Sequence, residues 1–144
     1  MTFRLDASDP RHARALELLA DREIGWLGTN GRDGYPHAVP VWFVWHDEAV
    51  ITFSQPHAAK ARNLRADRRA MLQLETSADG EEWLVLQGDA ELLSEPTAVW
   101  MERVREQYLA KYTAGLDALG WSLQRLVDDF SLVIALRPHR LIGL

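Results

Sequence analysis

The chain has 144 residues, a formal net charge of −5 and no cysteine. That length suits one domain, spanning residues 1–144, whose folding removes roughly two thirds of the unfolded surface from water without disulfide staples. The missing thiols exclude a disulfide framework, a thiolate metal site and a cysteine nucleophile, the scattered His12, His37, His46, His57 and His139 lack the short spacing of a metal site, and the acidic balance argues against a general nucleic-acid binder.

The opening stretch MTFRLDASDPRHARAL has no apolar run followed by a small-residue cleavage site, and no later run approaches the roughly 20 residues needed to cross a bilayer. A soluble, cytoplasmic protein is expected. Ser8-Asp9-Pro10 supplies a capping residue and a first-turn proline, and Ala13, Leu16, Leu19 and Ala20 place an apolar stripe on the helix that follows. IGWLGTN reads as a strand and GRDGYP as a chain-reversing turn. HAVPVWFVW, apolar on both faces and rich in β-branched and aromatic residues, reads as a single buried strand. His46-Asp47-Glu48 then makes a tight polar connection into AVITFS, an antiparallel hairpin.

HAAKARNLRAD has helical spacing and no β-branched residue, RAMLQLET alternates like a strand, and SADGEE is a turn. EEWLVLQGDAELL is a long strand in which Gly88 marks a bend or bulge. After Glu95-Pro96 a helix carries Val99, Val104, Tyr108 and Tyr112 toward the core, WSLQRLVDD signals a second short helix weakly, and FSLVIALRP and RLIGL read as two closing strands. Connections this short between strands favour antiparallel pairing, so the expected class is α+β, mainly β: an antiparallel, closed barrel with flanking helices.

One segment reverses the overall acidity. Lys60, Arg62, Arg65, Arg68 and Arg69 cluster between His57 and Arg69 against Asp67 alone. A strand delivers them at a helix start, where free backbone N–H groups and the helix dipole favour an anion. Lys60 adds a full charge in the first turn, Ser54 and Gln55 at the strand end offer hydrogen bonds to the same phosphate oxygens, and Arg62 can reach a ligand or its tail. Beside this start, Val39-Pro40-Val41-Trp42 contains a proline that belongs at an edge or bulge, and offers backbone groups and flat apolar side chains to a planar ring. No catalytic residue is assigned; Tyr35, His37 and Tyr108 are groups able to donate a proton.

The pattern PHAVPVWFVW, then FSQPHAAKARNLRADRRAMLQLE, then a strand ending QGDAELL resembles the pyridoxamine 5'-phosphate oxidase-like superfamily of split β-barrels. Within it, VPVWF, the Lys-x-Arg-Asn-Leu sequence containing Asn63, and the short C-terminal segment resemble the bacterial branch of deazaflavin-dependent reductases that use coenzyme F420. By that likeness Ser54-Gln55 stand where the oxidase has a Thr-Asn pair and Lys60 matches its phosphate-gripping lysine. Ala59 stands in place of an arginine, and Trp83 or Leu84 in place of a glutamine at the flavin ring. The resemblance implies F420 as cofactor, hydride transfer to a small organic substrate, and a homodimer with cofactor sites at the interface. The alternatives on the same barrel are an FMN-dependent oxidase or flavin reductase, and a non-catalytic carrier that binds haem through His37 or His57.

Overall fold

The computed structural model describes residues 3–144; the first two residues of the opening stretch lie outside the described residues. Helix α1 (Pro10–Asp21) begins where the Asp9 carboxylate accepts the N–H groups of Arg11 and His12, with Pro10 in the first turn. The buried stripe of α1 is Ala15, Leu18 and Leu19, whereas Ala20 is exposed, because the helix is rotated so that Leu18 faces the core.

Strands β1 (Gly25–Asn30) and β2 (Pro36–Val41) form a hairpin whose turn is closed by hydrogen bonds between Gly31 and Tyr35 and between Gly34 and Gly31. Gly34 sits there at φ +85°, a conformation that favours glycine. The run HAVPVWFVW is not one buried strand. It breaks at Trp42-Phe43 into β2, an edge strand with an exposed outward face, and β3 (Val44–His46), the one of these two pieces that pairs with β4 (Ala49–Ser54). The β3–β4 loop holds Asp47 and Glu48 at φ 50° and 61°, a primed two-residue turn that matches strand twist.

Helix α2 (Ala59–Ala66) leads into β5 (Arg69–Leu74) and β6 (Leu84–Leu92); α3 (Thr97–Leu119) and α4 (Leu123–Asp129) precede β7 (Leu132–Gly143). The two expected closing strands are one continuous β7, because Pro138, which has no N–H, falls at an irregularity in the β6–β7 ladder. Register slips there between Gln87 and Gly88, and a Cβ on Gly88 would lie 2.1 Å from the Arg137 carbonyl oxygen. On α3 the buried set is Thr97, Met101, Val104, Tyr108, Tyr112 and Leu116; Val99 is exposed, because two residues on from Thr97 it lies on the opposite face of the helix.

All ladders are antiparallel and the seven strands run in the order β2-β1-β5-β6-β7-β4-β3. The sheet curls into a half-barrel flanked by four helices, a split β-barrel. It is not closed by hydrogen bonds: its two edges are β2 and β3, neighbours in the chain, so the split lies at Trp42-Phe43. One core fills the curl, where Leu27, Phe43, Val50, Leu72, Leu86 and Ile134 meet Leu18 and Leu19 of α1 and Leu64 of α2. A second lies outside β4 and β7, where Ile51, Phe53, Val133 and Ala135 meet Met101, Tyr108 and Tyr112 of α3 and Leu126 of α4. Every residue of β4 is buried because both of its faces meet a core. Each fully buried leucine or isoleucine stabilises the fold by roughly 1.5–3 kcal/mol relative to exposure.

Candidate functional site

The chain leaves the buried β4 at Ser54 and turns through Gln55, Pro56 and His57 into α2, with the Ala58 N–H bonded to the Gln55 carbonyl. Ala58 occupies the cap position and has no side chain to accept from the helix. The first-turn N–H groups of α2 are therefore left for solvent or an anion. Lys60 stands in that turn, half-buried, with no hydrogen bond or ion pair among the described residues. Burial alone holds its pKa below the ordinary lysine value. An ammonium that is partly desolvated and unpaired is a group awaiting a negative partner.

Lys60 borders a cavity of about 260 Å³. Pro40, Val41 and Trp42 form one wall, Phe53 and Tyr108 the floor, and Leu119, Trp121, Leu126 and Phe130 the wall from the α3–α4 end of the molecule. Trp121 packs against Phe130 at 5.9 Å between centroids, and the Arg125 guanidinium lies 4.2 Å from the Trp121 ring. Burial raises the Tyr108 hydroxyl well above its ordinary value, so it stays protonated across the physiological range. The cavity therefore combines flat aromatic walls, one cation at its rim and no carboxylate in its lining.

Trp42 is held from α3. Its ring stacks on Tyr112 with centroids 4.6 Å apart and planes 9° from parallel. The backbone at the split, which has no neighbouring strand, finds side-chain partners instead. The Phe43 N–H donates to the Tyr112 hydroxyl (2.8 Å), Lys111 Nζ donates to the Phe43 carbonyl (3.0 Å), and Thr52 Oγ1 donates to the Trp42 carbonyl (2.6 Å).

On the other side of the α2 start, a more open cavity of about 460 Å³ is lined by Ala59, Arg62 and Asn63 and by the β1–β2 turn with Arg32, Tyr35 and His37. Arg62 donates to the His57 carbonyl, and Asn63 Nδ2 donates to Thr29 Oγ1 at 3.0 Å, which ties α2 to β1. His37 Nδ1 is buried without a hydrogen-bond partner, Tyr35 is 74% exposed and His57 is exposed.

Of the residues picked out from the sequence, Pro40, Val41, Trp42 and Lys60 meet around the aromatic cavity, while Arg62 and Asn63 lie on the far flank of the same helical turn. Val39 borders neither cavity; it lies on the same face of β2 as Val41 and packs against the barrel core. Ser54 is buried with its Oγ donating to the Gln55 carbonyl at 2.9 Å, and Gln55 is exposed; neither borders either cavity. The aromatic wall of Phe53, Trp121 and Phe130 went unread. Its only signal was the clustering of aromatic residues around the weakly marked α4.

Among the described residues no group of three His, Cys, Asp or Glu side chains could hold a metal, and no helix is long and apolar enough to cross a membrane.

A curled antiparallel half-barrel with a cation-tipped helix start beside an aromatic cavity defines a split-barrel protein. The chain belongs to the pyridoxamine 5'-phosphate oxidase family, whose sequence profile matches residues 12–142. Over 85 residues it is 32% identical to the F420H(2)-dependent biliverdin reductase of Mycobacterium tuberculosis, covering 59% of this chain and 61% of that protein. Thus the match spans less than two thirds of the relative's length. Among solved structures, an F420 reductase aligns with a TM-score of 0.66 at 21% identity, covering 88% of this chain and 94% of that one. A haem-binding protein from Mycobacterium smegmatis aligns at 0.68 with 22% identity, over 97% and 54%. A FAD-binding protein from Mesorhizobium loti aligns at 0.62 with 20% identity, over 90% of each. Names with three different cofactors on one barrel show that the fold does not choose the ligand; the site must.

Proposed function

We propose that the protein is an oxidoreductase that uses the deazaflavin coenzyme F420 for hydride transfer to a small organic substrate. The observation that carries the reading is Lys60: a half-buried, unpaired cation at an uncapped helix start, on the rim of an aromatic cavity. The donor set fits the group. Lys60 and the first-turn N–H groups of α2 would hold the phosphate, and Pro40, Val41 and Trp42 with Phe53 and Trp121 would hold the ring and exclude water. Arg62 and Asn63 flank the phosphate position and face the open groove, where a cofactor tail would run. When bound in its reduced form, F420 would supply a hydride for an electron-poor carbon or conjugated bond, with the proton coming from solvent. The relative named as an F420H(2)-dependent reductase favours F420 over FMN.

At about 260 Å³ the cavity is smaller than the roughly 300–1,000 Å³ usual for ligand sites. A second subunit that completes the site is part of the same proposal, as is action in the cytoplasm. Titration of the protein with oxidised F420 and, separately, with FMN, followed by fluorescence, tests the reading. Tighter binding of F420, with oxidation of reduced F420 by an acceptor panel and a dimer in sedimentation, supports it. Tighter FMN binding replaces it with the oxidase or flavin-reductase reading, and binding of neither overturns both.

A further inference from the structure

At the split of the barrel, Trp42 and Phe43 connect two edge strands and have no ladder of their own. Buried backbone polar groups without partners are costly, so something must replace the ladder. Two consecutive residues of α3 do so. Tyr112 accepts the Phe43 N–H and donates at 2.6 Å to the Glu23 carbonyl, and Lys111 bridges the Phe43 and Leu19 carbonyls at 3.0 Å each. The Lys111 ammonium also lies 3.6 Å from the centre of the Phe43 ring. The side chains at the split fork accordingly: Phe43 enters the barrel core, and Trp42 lies flat on Tyr112, facing the candidate ring cavity. Gly115, one turn further along α3, leaves the room for the indole. A Cβ there would stand 2.9 Å and 3.0 Å from two of its ring atoms.

We infer that Lys111 and Tyr112 are positioning residues for the cofactor ring, acting through Trp42: they clamp the open seam of the barrel and so set one wall of the cavity. The inference rests on reading that cavity as the ring site. Neither side chain lines the cavity. Their effect passes through the backbone of residues 42 and 43, and the indole is the group that would meet the ring.

The test uses protein labelled with 5-fluorotryptophan, in which the six tryptophans give separate fluorine resonances and Trp42→Phe assigns that of Trp42. Lys111→Met and Tyr112→Phe are expected to move the Trp42 resonance while those of Trp26 and Trp83, outside the cavity, stay in place. Oxidised F420 should then bind about tenfold more weakly, the scale of one lost aromatic contact. Gly115→Ala displaces the same indole without removing a hydrogen bond, and serves if the other variants fold poorly. A Trp42 resonance that does not move in folded variants overturns the inference, as does a displaced Trp42 with unchanged F420 affinity. If the wild type binds neither F420 nor FMN, the functional reading fails alone, and the Trp42 resonance still decides whether α3 sets the wall.

Discussion

Replacing Lys60 by methionine separates function from stability in sign. The aliphatic stem survives, so packing along the cavity rim is kept, while the half-buried ammonium, unpaired among the described residues, is removed. Loss of one charge-assisted contact to a phosphate costs about 1.5–3 kcal/mol of binding, or roughly ten- to hundredfold in Kd. Folding stability should hold or rise, because desolvation of an unpaired charge no longer opposes folding. Fluorescence titration with oxidised F420 and with FMN reads the first effect, and urea unfolding reads the second. Wild-type affinity should also fall with added salt more steeply than that of the variant. Unchanged affinity together with lost stability would refute the reasoning and make Lys60 a structural residue.

Gly88→Ala forces a Cβ to within 2.1 Å of a backbone oxygen on β7, which cannot rotate away. A loss of about 3 kcal/mol, near ten degrees in Tm for a domain of this size, is expected in thermal melts followed by circular dichroism. Gly115→Ala meets only the Trp42 ring, so about 1 kcal/mol of stability should go with a measurable loss of F420 affinity; equal affinity would detach Trp42 from the site. Lys111→Met has a pH signature. Burial pulls Lys111 down to about 8, below its unfolded value of roughly 10.4, so the folded state releases its proton first and wild-type stability rises between those pH values. The neutral amine keeps two hydrogens for its two carbonyl acceptors. Urea unfolding across that window should show the rise in wild type and a smaller rise in the variant, where of Lys60 and Lys111 only the depressed Lys60 remains to supply it.

The elements that were legible in the sequence are those whose cause is local. The Asp47-Glu48 turn, the Gly88 irregularity and the edge position of Pro40 each follow from the conformational demands of a few adjacent residues. The break at Trp42-Phe43 was illegible because both side chains are apolar, and the groups that stabilise the break come from Lys111 and Tyr112, far along the chain. Pro138 looked like a strand end because its tolerance at a bulge depends on the opposing Gly88. At the candidate site, Lys60 was picked out through charge at a helix start, a local signal, and it does stand in the first turn of α2. Ser54 was given a hydrogen-bonding role from its place at the strand end, but burial turns its hydroxyl onto the neighbouring carbonyl. Trp121 and Phe130 reach the cavity only because α4 folds back beneath α3, which no periodicity reports.

The position of β7 has a further consequence for how the molecule is made. β4 is buried along its whole length, and its two ladder neighbours are β3, made just before it, and β7, made after every other element. During synthesis the uncharged, proline-free segment AVITFS thus keeps one strand edge open while α2, β5, β6, α3 and α4 emerge. An open apolar edge of that kind is the sort that pairs with other chains. The sheet is therefore completed late, when β7 slots between β6 and β4, and until then the open edge of β4 is a hazard for association with other chains.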